Sequence, residues 1–254
     1  MDKPLILVTN DDGIFAPGIK ALVEVVKKIG TPIVVAPDKP QSGQGHAITI
    51  TSPLRLKKVE QFEGVESYAC SGTPVDCVKL AKNILLKDQT IDLCVSGVNH
   101  GSNAALNILY SGTMSAAMEA SIEGINSIGF SLLDFSFEAD FSAAMHYGEI
   151  LISRLLKEKK EGILLNVNIP KLPVSDIKGM KICTQGEGRW VEDYKESTDP
   201  RGGVYYWLDG NFEKGQYDDN TDLDALKSGY ISIVPSQHDL TDYKNIKNLS
   251  YLEL

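Results

Sequence analysis

Along the first two thirds of the chain, short unbroken apolar runs alternate with stretches whose apolar residues recur at helical spacing. The runs are Leu5 to Val8, Ile33 to Ala36, Leu93 to Ser96, Ile128 to Leu133 and Ile163 to Ile169. Runs of this kind suit strands buried on both faces of a parallel sheet. Between the first two, Ile19, Leu22, Val23, Val26 and Ile29 share one helical face, with Pro17 and Gly18 ahead of the helix and Gly30 at its end. Thr73 opens a second helix as an N-cap, followed by Pro74 and, at the third position, Asp76. That helix runs to Leu86. A third helix carries Met114, Ala117, Met118, Ser121, Ile122 and Ile125 on one face, with both methionines in the core, and a fourth spans residues 139 to 156. Tyr68 to Ser71 is a further short strand, and the alternation in Ala47 to Thr51 and Leu54 to Val59 predicts a hairpin or edge ribbon. Strands and helices taken in turn predict a doubly wound α/β fold with a mostly parallel sheet and right-handed crossovers.

The last third is patterned differently. Met180 to Thr184 and Gly203 to Leu208 are strand candidates, separated by a Gly- and Asp-rich stretch from Gly186 to Arg201. Asp222 to Lys227 is a short helix candidate and Tyr230 to Val234 a strand. These pieces are too sparse to bury a second core, so the chain is one domain over 1–254, with an α/β core over 1–184 and an extension over 185–254. Trp190, Tyr194, Tyr205, Tyr206 and Trp207 crowd this extension, whereas the whole chain is only 7 % aromatic. Large aromatics of that kind anchor interfaces, so an extended hairpin arm reaching a second subunit is expected.

Composition narrows the function. The net charge is −9 with no basic tract, which argues against polymeric nucleic acid as a partner. A small phosphorylated ligand is compatible if a metal reverses the local field. Cys70, Cys77, Cys94 and Cys183 show no CxxC spacing, and buried reduced thiols are expected. With no leader-like segment and no apolar stretch of membrane length, a soluble cytoplasmic protein is expected.

The chemistry starts directly after the first strand, at Asn10, Asp11, Asp12 and Gly13. Adjacent carboxylates repel, and a hard cation between them relieves the repulsion. Two other loops leave strand ends on the same side, Gln41-Ser42-Gly43 and Ser96-Gly97-Val98-Asn99. Asp11, Asp12, Ser42 and Asn99 form an all-oxygen set that suits Mg²⁺ or Mn²⁺ better than zinc. Ser111, Gly112 and Thr113 open a helix, whose free N–H groups and hydroxyls make an anion site. Each piece has an ordinary alternative: Ser42 and Asn99 in surface turns, Ser111 and Thr113 as caps, His100 as a surface or supporting residue. Their convergence where α/β sheets bind ligands favours metal-assisted phosphate ester hydrolysis. A dinucleotide-binding loop would read G-x-G-x-x-G here, and two aspartates would repel a pyrophosphate.

Taken together, Asn10 to Gly13, Ala36-Pro37-Asp38, Ser42-Gly43, Ser71 to Asp76, Ser96 to Asn99 and Tyr110 to Thr113 resemble the SurE family, the survival protein E 5′-nucleotidases. The likeness continues through Asp199 to Gly202, Tyr205 to Trp207 and Gly229 to Ser232. The resemblance implies a Rossmann-like core and a divalent-metal 5′-nucleotidase that releases phosphate from nucleoside monophosphates. It implies Asp11, Asp12, Ser42 and Asn99 as holders of one divalent ion. Ser111, Gly112, Thr113 and Gly43 are expected to bind the phosphate, and Asp11, Asp12 and Asn10 to serve catalysis by orienting the attacking water. Either water or a carboxylate can attack first on this reading. The resemblance also implies a homodimer or homotetramer joined through C-terminal arms. A broader phosphatase acting on 3′-nucleotides or short polyphosphate, and a phosphate-binding module without catalysis, are the alternatives.

Overall fold

The structure is a computed structural model that describes residues 3–136, 138–158, 160–213, 215 and 219–253. Its centre is a nine-stranded sheet. Strands β1 (Leu5–Thr9), β2 (Thr31–Pro37), β4 (Glu66–Cys70), β5 (Leu93–His100), β6 (Ser127–Leu132) and β7 (Leu164–Ile169) are parallel, in the spatial order β4-β2-β1-β5-β6-β7. Numbered among themselves these six run 3-2-1-4-5-6, the Rossmann order. An antiparallel β3 (Leu56–Lys58) closes one edge on β4. At the other, β11 (Ile231–Pro235) runs antiparallel to β7 and carries β8 (Met180–Ile182) beside it.

Alternation along the strands explains the two apolar layers. Ile6 and Val8 face the layer built on α1 (Pro17–Ile29) and α4 (Ser142–Glu158). Leu7, Ile33, Val35 and Cys94 face the layer built on α2 (Pro74–Leu80) and α3 (Gly112–Ile122). All four cysteines are free and buried. Among the described residues no helix is long and apolar enough to cross a membrane.

Several sequence expectations are revised. Pro17 belongs to α1, at its start, where its missing N–H costs nothing. Ala47 to Thr51 forms no strand. Its backbone is held instead by the start of α2, with Thr73 Oγ1 donating to Ala47 O (2.7 Å) and Thr49 N to Asp76 Oδ1 (3.1 Å). Those same side chains complete the capping box that opens α2, which then closes in a π turn over Ala81–Leu85. The loop expected from Gly97 onward is partly strand, because β5 continues through Asn99 and His100, paired with Ser131 and Leu132 of β6 after a register shift. The stretch between Gly186 and Arg201 contains β9 (Arg189–Thr198), which pairs antiparallel with β10 (Val204–Glu213) in a separate two-stranded ribbon. The short helix α5 (Asp222–Lys227) follows it.

Candidate active site

Strand order turns at β1, which has β2 on one side and β5 on the other, and ligands of open α/β sheets bind beyond such a point. The loop after β1 carries Asn10, Asp11 and Asp12 there, and the end of β5 carries Asn99. A cleft of 640 Å³ opens above them, lined by Asp11, Ser42, Gly43, Asn99 and Ser111 among others. Asp12 lines an adjoining recess with Asp38, Lys39 and His100. His100 and Phe135 border both spaces.

Asp11 is buried, and Thr113 at the start of α3 donates its hydroxyl to Asp11 Oδ1 at 2.5 Å. Gly112 lets the helix come that close: a Cβ at this position would lie 2.6 Å from the Cβ of Asp11. Burial pushes the Asp11 carboxyl up to about 6, neighbouring Asp12 adds to the rise, and hydrogen bonds from Thr113 oppose it. Burial also raises Asp12, against the pull of the His100 ring. Both aspartates are thus costly as bare anions.

The other groups fall into place around this pair. Asn10 is fully buried and donates its amide to Gly13 O (2.9 Å), which shapes the turn, while its Oδ1 has no partner among the described residues. Asp12 Oδ2 is likewise buried without a hydrogen bond among the described residues. Asn99 donates its amide to Gly101 O (2.9 Å), which leaves its oxygen for the cleft. Ser42 and Gly43 sit exposed on a loop tied down by Gln41 N donating to Asp11 O (2.7 Å). Ser111 accepts from Met114 N as the cap of α3 and keeps its hydroxyl proton for a ligand.

The donor set fits a hard cation. It supplies two carboxylates with raised titration, an amide oxygen and a hydroxyl, and orphaned buried oxygens adjoin it. Among the described residues no group of three or more His, Cys, Asp or Glu side chains could hold a metal, so an ion here would need the oxygens of Ser42 and Asn99 beside the aspartates.

Sequence reasoning missed the support behind this wall. Asn103 donates to Ser131 Oγ and, through its backbone, to Asn168 Oδ1, each at 2.8 Å, and its carbonyl accepts from Asn166. The signal was present as two asparagines inside the apolar run of β7. Trp190 and Glu192 of the ribbon, which also line the cleft, gave no such signal.

Comparisons with known proteins follow the same lines. The family profile described as Survival protein SurE matches residues 6–192. A protein of Flavobacterium psychrophilum named 5′-nucleotidase SurE is 54 % identical over 256 residues, covering 100 % of this chain and 99 % of the relative. A second, from Christiangramia forsetii and of the same name, is 54 % identical over 251 residues, covering 98 % and 96 %. The crystal structure of the SurE protein from Aquifex aeolicus superposes with a TM-score of 0.85 at 40 % identity, covering 99 % of this chain and 100 % of that one.

Proposed function

The chain belongs to the Survival protein SurE family, and on that premise we propose that it is a divalent-metal-dependent 5′-nucleotidase, cleaving nucleoside 5′-monophosphates to nucleoside and phosphate. The observation that carries the reading is the buried Asp11, paired with Asp12 at the turn of strand order and held by the first turn of α3. Asp11, Asp12, Ser42 and Asn99 would hold one Mg²⁺ or Mn²⁺. Such an ion supplies charge stabilisation to a phosphoryl group and acidifies water. The protein's own part is positional. The start of α3, through Ser111 and the free N–H of Gly112, binds phosphate oxygens together with the Gly43 loop. Thr113 contributes mainly by fixing Asp11. Asn10, fully buried, acts by shaping the aspartate loop through Gly13 O, and the aspartates orient the attacking water and accept its proton.

Four free, buried thiols suit a reducing compartment, so we place the protein in the cytoplasm. The exposed aromatics of the β9–β10 ribbon support a homodimer or homotetramer joined through it. Phosphate release from a panel of 5′- and 3′-monophosphates, with Mg²⁺, Mn²⁺ or chelator, tests the function. Release from 5′-nucleotides that chelator stops is the expected result, and none above background would overturn it.

A further inference from the structure

The ribbon's root overhangs the cleft, and its place there is fixed. Asp222, fully buried, accepts backbone N–H groups from Ala105 (2.8 Å) and Gly186 (2.9 Å), tying the segment before the ribbon to the segment leading to Ser111. Leu106 N then donates to Gly188 O at 3.1 Å. A Cβ on Gly188 would meet Phe212 at 2.4 Å and Leu223 at 2.9 Å, so the ribbon's last ring is wedged between its own first turn and α5. Phe212 in turn meets Trp190 edge to face, centroids 6.1 Å apart. Trp190 is therefore held from behind, two residues from a chain segment bonded to the active-site loop.

The register shows which face looks into the cleft. Trp190 pairs with Phe212, Glu192 with Gly210 and Tyr194 with Leu208, so these six share one side of the ribbon. Trp190, Glu192, Leu208 and Gly210 all line the same cleft as Asp11, Asn99 and Ser111. Trp190 remains 45 % exposed, so its indole is reachable from the cleft. The cleft's 640 Å³ lies in the range of small-molecule sites. Its ribbon end brings Glu192, which disfavours a second phosphate and favours an uncharged ring.

We propose that Trp190 is the nucleobase platform of the site: the substrate's phosphate lies at the start of α3 and its base stacks on the indole. The proposal rests on the nucleotidase reading and adds a specificity determinant to it. Stacking accepts any base, since every base has a π face, so purine and pyrimidine nucleotides both bind.

Two measurements test it. With Trp207→Phe, Trp190 is the sole tryptophan of a chain that has two. Its emission should be quenched saturably by a nucleoside 5′-monophosphate and not by ribose 5-phosphate. In the otherwise unchanged protein, Trp190→Ala should lower the ratio of kcat/KM for nucleotide over ribose 5-phosphate by roughly tenfold to a hundredfold, the worth of one stacked base, while Trp190→Phe keeps most of it. An unquenched Trp190, or an unchanged ratio in Trp190→Ala, overturns the proposal. Saturable quenching without any phosphate release would sink the nucleotidase reading and still support the base platform.

Discussion

Thr113 and Asp11 lie 102 residues apart in sequence, yet the hydroxyl of one donates to the carboxylate of the other at 2.5 Å. The start of α3 thus serves the carboxylate, beside the phosphate role proposed for Ser111 and Gly112. Thr113→Val should remove a charge-assisted hydrogen bond worth roughly 1.5–3 kcal/mol and reduce phosphate release on the order of tenfold to a hundredfold. Thr113→Ser, which keeps the hydroxyl, should retain most activity. Gly112→Val should do more harm, because its side chain must displace Asp11. Equal rates for the Val and Ser variants at position 113 would show that the bond is dispensable.

Asp11 also sets a pH dependence in chelator-treated protein. Its folded carboxyl titrates at about 6, above the ordinary 3.8. The folded state therefore holds this proton more tightly, and the resulting stability is complete below about pH 4 and lost as pH rises through 6. Asp11→Asn escapes that loss, up to about 3 kcal/mol at 1.36 kcal/mol per pH unit. Urea unfolding at pH 5 and pH 7.5 should show the variant gaining on the metal-free wild type at the higher pH. Added Mn²⁺ should raise the wild type's midpoint and leave the variant's alone, and phosphate release by Asp11→Asn or Asp12→Asn should be nearly abolished. Parallel pH slopes for wild type and Asp11→Asn would refute the argument.

Glu119 of α3 is only 3 % exposed and meets the ammonium of Lys79 and, at 2.8 Å, the ring of His46. His46 closes the segment that begins with Ser42. The partners are a third or more exposed, so removing the carboxylate leaves them to water, whereas removing a cation strands a buried anion. Lys79→Met should therefore destabilise the protein by more than Glu119→Gln, which we expect to cost about 1 kcal/mol. Chemical denaturation of the two variants settles the order, and a less stable Glu119→Gln would reverse the reasoning.

Beyond its root, the ribbon leaves Tyr206, Trp207 and Leu208 60 %, 66 % and 65 % exposed. Replacing residues 195 to 207 by a short Gly-Ser turn should convert a dimer or tetramer to monomers while keeping Trp190. Light scattering at micromolar protein reports the mass directly. A single-chain mass for the unshortened protein would eliminate the arm as an assembly element.

Which features could be foreseen follows from where their energy comes from. Leu5–Thr9 and the strands beside it are buried on both faces, so their apolar runs announce them, and Thr73 with Asp76 caps its helix through local bonds alone. Asp11 and Asp12 stand out because no turn needs two adjacent charges. Arg189–Thr198 showed no such pattern because it packs on no core and its stability comes from pairing with Val204–Glu213. Ala47 to Thr51 misled for the opposite reason: its alternation suits a strand, but Thr73 and Asp76 capture its backbone groups. Trp190 and Asn103 acquire meaning only from partners far away in sequence.

The Asp222 carboxylate receives Ala105 from 117 positions earlier in the chain. During synthesis at about 5–20 residues per second, the aspartate loop, the Ser42 loop and Asn99 emerge well before that contact can form. A ribosome-bound chain that ends before residue 222 therefore has its carboxylate pair but lacks the hold of Asp222 on Ala105, within the path from Asn103 to Ser111. On the proposed function, the segment leading to Ser111 gains its last tether only when Asp222 of α5 has arrived.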